Sequence, residues 1–180
     1  DMHETVDVIL ELHKGTDAGD LRHAALHDVA HLEAGVDDGP WVGVELLHAE
    51  ADALVVPVNT VGVMGAGLAK QVAKRWSDAL PSYQAWCRQT KPAGGSIGWS
   101  DGWVWFATKE HWRQPSELSW IEKGLRRLVQ IARDERGSID TIALPLLGCG
   151  LGGLNPAHVG ALIGATFGPS SVTAELWLEN

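Results

Sequence analysis

Apolar residues along this chain take two recurring forms: short unbroken runs, and longer stretches in which they return every three or four positions. Ala53 to Val58, Trp103-Val104-Trp105-Phe106-Ala107 and Ile142 to Leu146 are runs of strand length, the pattern of strands buried on both faces. Between them, Leu68, Val72 and Trp76 mark one helix and Tyr83 to Gln89 another. A third, long amphipathic helix spans Ser116 to Arg136, with its apolar face through Leu118, Ile121, Leu125, Leu128, Val129 and Ala132, Ser116 or Ser119 as N-cap, and Gly137 as stop. A strand at about 41–47 is expected ahead of these. A second short strand precedes Trp103, a helix follows Pro156, and a last strand runs through Val172, Leu176 and Leu178. Such alternation predicts the α/β class, as a three-layer α/β/α arrangement with the strands ending at Ala107 in the middle of its sheet.

Residues 1–40 read differently. An apolar stretch (Val6, Val8, Ile9, Leu10, Leu12) and a helical pattern through Leu21, Ala25, Leu26, Val29, Ala30 and Leu32 end at Gly35-Val36-Asp37-Asp38-Gly39-Pro40. We expect an acidic, histidine-containing appendage over 1–40 and the main domain over 41–180. His23, His27 and His31 would share one helix face, and we read them as solvent-exposed rather than metal-bound.

Composition narrows the class. With 180 residues, 45% apolar and 21% charged, the chain is long enough for one well-buried core. No apolar run approaches the roughly 20 residues that span a bilayer, and no signal peptide opens the sequence, so a cytoplasmic protein without membrane contact is expected. Cys87 and Cys149 have no CxxC or CxxH partner, which argues against a disulfide framework or a zinc site; neither metal nor cofactor is expected. The net charge of −9 belongs mainly to residues 1–40, where ten Asp and Glu face Lys14 and Arg22. The remainder is nearly neutral, and Lys70, Lys74, Arg75, Lys109, Arg113, Lys123, Arg126 and Arg127 are available for a positive face.

Two loops carry the candidate chemistry. After the run ending at Leu147 come Gly148-Cys149-Gly150-Leu151-Gly152-Gly153-Leu154, four glycines in six positions. Backbone without Cβ atoms takes positive φ and approaches a ligand closely, so successive N–H groups can turn toward phosphate oxygens. The other loop, Gly62-Val63-Met64-Gly65-Ala66-Gly67, follows a strand and opens a helix, adding helix-terminal N–H groups. Together they could grip one diphosphate at the carboxyl edge of the sheet, where α/β folds place ligands. Gly65-Ala66-Gly67-Leu68-Ala69-Lys70 lacks the third glycine of GxGxxG and no GxxxxGK[ST] occurs, which argues against dehydrogenases and P-loop NTPases. Cys149 has no evident base and is read as a small loop residue. Lys109, at the end of a strand in Thr108-Lys109-Glu110-His111-Trp112-Arg113, can serve as a phosphate counter-ion or, desolvated, as a nucleophile; a surface ion pair with Glu110 or Glu122 is the plainer reading.

Val58 to Ala69, the Thr108–Arg113 segment and Leu144 to Leu154 together resemble the macrodomain family, which binds ADP-ribose. Tyr83-Gln84-Ala85-Trp86-Cys87 and Ile121-Glu122-Lys123-Gly124-Leu125 fall in matching order. More closely, the chain resembles the branch of the DarG antitoxins, which remove ADP-ribose from DNA bases modified by the DarT toxin, and of the terminal ADP-ribose protein glycohydrolase of animals. The resemblance implies a mixed central sheet, a catalytic lysine at Lys109 and a distal-ribose contact at Asn59. It also implies one phosphate loop over Gly62 to Leu68, with Met64, Gly65, Ala66 and Gly67 inside it, and a second over Gly148, Cys149, Gly150, Leu151, Gly152, Gly153 and Leu154. Glu45 and Leu46 stand where the family's Asp-Leu meets adenine, and Val56 where an asparagine is frequent. The animal enzyme's second-loop aspartate is replaced by Gly152, so a Lys-Asp mechanism is not available.

Of nine tryptophans most are expected in the core, while Trp112, three residues past Lys109, is expected at a base, with His111 and Arg113 toward the strand. What the resemblance implies is a metal-independent hydrolase releasing ADP-ribose from single-stranded DNA, partnered with a DarT-like toxin. Release of protein-linked ADP-ribose, hydrolysis of ADP-ribose 1″-phosphate, and a non-catalytic ADP-ribose reader remain open beside it.

Overall fold

A computed structural model describes residues 11–13, 45–135 and 139–177. Six strands, β1 (Glu11–His13), β2 (Ala53–Val58), β3 (Ile97–Ser100), β4 (Trp103–Ala107), β5 (Thr141–Pro145) and β6 (Thr173–Trp177), form one sheet in the order β1-β6-β5-β2-β4-β3. All neighbours are parallel except β3 and β4, so the sheet is mixed. Helices α1 (Gly67–Arg75), α2 (Ala79–Thr90), α3 (Leu118–Gln130) and α4 (Pro156–Phe167) complete the α/β/α layering.

Alternation along the strands divides the core. Ala53, Val55, Val104, Phe106, Ile142 and Leu144 pack with Ile121, Leu125 and Leu128 of α3 and Val159, Ile163 and Phe167 of α4. On the other face Leu54, Val56, Trp103 and Trp105 meet Leu68 and Val72 of α1 and Tyr83 of α2. Gly124 is where α3 crosses the sheet: a Cβ there would overlap the Phe106 ring.

Three sequence expectations change. The strand expected at 41–47 is, over its described part, a 3-10 helix at Glu45–His48. A strand would send Leu46 and Leu47 to opposite faces, whereas both are buried in the same core as Tyr83. Strand β3 lies at the outer edge, not in the middle. Neither Ser116 nor Ser119 caps α3; extended Glu117 holds that position without a side-chain hydrogen bond, and the helix ends in a π-helical turn at Ile131–Glu135. Of residues 1–40, only Glu11–His13 are described, and they pair with Glu175–Trp177 as an edge strand. The three histidines and Gly137 lie outside the described residues.

Candidate functional site

Parallel strands β5, β2 and β4 are neighbours, so the loops after Pro145, Val58 and Ala107 leave the sheet at one edge. The ladder continues past β4, where Thr108 N–H donates to the Val58 carbonyl at 2.9 Å. Three more bonds tie the loops together. Thr60 Oγ1 donates to the Glu110 carbonyl (2.7 Å), Ser116 N–H donates to the Gly152 carbonyl (3.0 Å), and Lys109 Nζ donates to the Leu151 carbonyl (2.9 Å). The lysine loop therefore touches both glycine loops.

Asn59 and Tyr83 build the first loop. Asn59 Oδ1 accepts from the N–H groups of Val61 (3.1 Å) and Val63 (3.4 Å), and its Nδ2 donates to the Val63 carbonyl (2.8 Å). The buried Tyr83 hydroxyl donates to Asn59, with its carbonyl at 2.6 Å and Oδ1 at 2.8 Å, and accepts from Gly62 N–H at 3.2 Å. Gln84 Nε2 adds a bond to the Gly62 carbonyl (3.1 Å). Gly62, at φ +84°, is in a conformation that a side chain would strain. Burial drives the Tyr83 phenol far above its ordinary pKa, which keeps it a donor. Asn59 is thus a scaffold residue, and among the described residues one of its two Nδ2 hydrogens has no acceptor.

Helix α1 begins at Gly67 (φ +54°) behind Ala66, which supplies no side-chain cap, so the N–H groups of its first turn face the loop without a cap. Helix α4 differs: Asn155 Oδ1 accepts from Ala157 and His158 N–H at 2.8 and 3.3 Å. Of the two helices that open beside glycine loops, α1 is the one with its amino end open to an anion.

The second loop folds on itself, Leu154 N–H donating to the Gly148 carbonyl (2.9 Å) and Gly153 N–H to that of Gly150 (3.1 Å). Among the described residues no acceptor is recorded for the N–H groups of Gly150, Leu151 and Gly152. Ser116 backs this loop; it is buried, and its hydroxyl has no hydrogen-bond partner among the described residues. A Cβ on Gly152 would overlap Ser116 Oγ and the Gly148 carbonyl, and one on Gly148 would crowd Ser116 Cβ at 3.0 Å. Cys149 is half-buried, its Sγ 3.7 Å from the Leu147 carbonyl, and burial pushes its thiol pKa up, away from nucleophile character.

Lys109 is half-buried, with its ammonium also 3.5 Å from the Trp112 carbonyl, and burial lowers its pKa. It forms neither ion pair considered from sequence: Glu110 Oε1 accepts from Gly94 N–H (3.2 Å), and Glu122 pairs with Arg126. Trp112 is 47% exposed, stacked with His111 at 5.3 Å and lying under the Arg113 guanidinium at 4.4 Å. The eight cations do not converge. Lys70, Lys74 and Arg75 lie on α1 and Lys123, Arg126 and Arg127 on α3, in opposite layers, which leaves Lys109 and Arg113 on the lysine loop. Leu46 is buried in the core beneath the first loop, and the Glu45 side chain lies outside the described residues. Tyr83 and Ser116 were not expected as site residues; no short-range pattern marks a hydroxyl that works from beneath a loop.

Among the described residues no group of three or more His, Cys, Asp or Glu is placed to hold a metal, and no helix is long and apolar enough to cross a membrane.

Residues 55–163 match the Macro domain family model. A DNA ADP-ribosyl glycohydrolase of Mycobacterium tuberculosis is 39% identical over 119 residues, which cover 62% of this chain and 33% of that protein. The chain thus spans about a third of the length of this relative. The macrodomain of Mycobacterium tuberculosis DarG superposes with a TM-score of 0.67 at 34% identity, covering 81% of this chain and 96% of that one. Thermosipho africanus DarTG, solved in complex with ADP-ribose, gives a TM-score of 0.67 at 32% identity over 73% of this chain and 39% of that one. With the match covering β2 through much of α4, and a DarG macrodomain covered almost end to end, this chain belongs to the macrodomain family, in the branch of the DarG macrodomains.

Proposed function

We propose that this domain hydrolyses the bond between ADP-ribose and a base of single-stranded DNA, in the cytoplasm, as the antitoxin activity opposing a DarT-like DNA ADP-ribosyltransferase. The observation that carries this reading is Lys109: its amine lies on the second glycine loop, beside backbone N–H groups suited to a diphosphate. The names of the glycohydrolase and DarTG relatives support the DNA substrate and the toxin partner.

Cleavage at C1″ of the distal ribose passes through an oxocarbenium-like state, so the enzyme must hold the diphosphate and place one reactive group at C1″. The first loop and the open end of α1 hold one phosphate, and the second loop holds the other. Asn59 directs its remaining amide hydrogen to the distal ribose, while the backbone of Glu45 and of the core-buried Leu46 marks the adenine end. Lys109 then either attacks C1″ as the free amine, displacing the base, with water afterwards hydrolysing the C1″–Nζ adduct to free ADP-ribose, or as the ammonium protonates the departing base while water attacks C1″.

Release of ADP-ribose from an ADP-ribosylated single-stranded oligonucleotide, compared with a glutamate-ADP-ribosylated protein, tests the reading. Turnover of the DNA adduct by wild type and its loss in Lys109→Ala is the expected result. Tight ADP-ribose binding without turnover of either substrate would overturn it in favour of a reader.

A further inference from the structure

Leu151 is 77% exposed at the tip of the second loop. Phosphate binding there requires only backbone N–H groups, and glycines at 150, 152 and 153 provide no side chain to cover the leucine. Its carbonyl lies 2.9 Å from Lys109 Nζ; the Trp112 carbonyl lies 3.5 Å from the same atom. The backbone carbonyls of two exposed apolar residues, on separate loops, therefore flank the Lys109 amine.

From this juxtaposition we infer that Leu151 and Trp112 form an apolar clamp on the leaving group, with Leu151 selecting a nucleobase over a smaller acceptor; the inference rests on the DNA-directed reading above. A base has two flat faces on which an exposed leucine and an exposed indole can close. A carboxylate leaving group has no such face. The base must be out of the duplex stack to enter, which fits a single strand. Arg113, over the Trp112 ring, puts a cation on the same loop for the strand's phosphates.

The test compares kcat/KM on an oligonucleotide carrying ADP-ribose on one base with the affinity of the same variant for free ADP-ribose. Leu151→Ser is expected to lower the first relative to the second by about tenfold, the scale of a lost apolar contact in a specificity pocket, and Leu151→Met to recover most of it. Equal losses in both measurements, or none, overturn the clamp while wild-type release from DNA leaves the function standing. Absence of release by wild type removes both.

Discussion

The Ser116 hydroxyl occupies the volume in which a side chain at residue 152 would begin, so Ser116 and Gly152 form a mutually exclusive pair. This gives the missing aspartate a physical reason: a carboxylate at 152 is excluded by the serine behind the loop and by the Gly148 carbonyl. Gly152→Asp is expected to cost about 1–3 kcal/mol of stability through overpacking and to weaken ADP-ribose binding more than tenfold, with no gain in turnover. Adding Ser116→Gly removes one of the two obstructions and should return part of the affinity. Calorimetric titration and thermal unfolding decide it; undiminished binding by Gly152→Asp would show that the loop takes another path.

Lys109→Ala is expected to reduce ADP-ribose release by about 10²- to 10⁴-fold, the range for loss of a proton-transfer group, with a much smaller change in ADP-ribose affinity. Because burial lowers the lysine pKa, its limb in the pH–rate profile should fall below the ordinary lysine range. An attacking amine makes that limb rise with pH, whereas a proton-donating ammonium makes it fall. Borohydride during turnover separates the same roles: a reduced adduct on the Lys109 peptide requires the amine to have attacked.

Tyr83 is the sole tyrosine of the chain, so tyrosinate absorbance reports on it alone. Its folded-state pKa is raised, so the protein holds the phenolic proton more tightly than the unfolded chain does. The stability this gives is complete below pH 10 and is lost as pH rises beyond it. Tyrosinate should therefore form only together with unfolding. Tyr83→Phe strands the Gly62 N–H and should cost about 1–3 kcal/mol, with weaker ADP-ribose binding; tyrosinate forming near pH 10 in the folded protein would contradict the burial argument.

Trp112→Ala should weaken action on modified DNA by roughly 5- to 150-fold, since stacking of a base on an aromatic ring is worth about 1–3 kcal/mol. Arg113 over the same ring contributes about 0.5–1 kcal/mol at an exposed site, and a base stacking there replaces it or the His111 ring. Free ADP-ribose should bind the variant nearly as well as wild type. Equal loss in both assays would remove Trp112 from DNA recognition.

The central strands were legible because each is a run of apolar residues short enough to exclude a helix, and the glycine loops because their spacing interrupts those runs. Lys109 could be picked out as a charge placed where a buried strand ends. Glu45–His48 misled because two adjacent leucines look like strand, yet both turn toward one core. Ser116 carries the signature of a cap, but its position behind Gly148 and Gly152 depends on a loop more than thirty residues away. The cationic face failed for a related reason: the cations of α1 and those of α3 stand on opposite sides of the sheet.

Strands β5, β2 and β4 each contribute one of the loops that meet at this edge, and they form the middle of the sheet. A ligand that spans the loops therefore staples three neighbouring interior strands to one another. Ligation should slow amide exchange in these three strands together, through the equilibrium for complete unfolding, while the outermost pairings of β1 and β3 continue to open by local fraying.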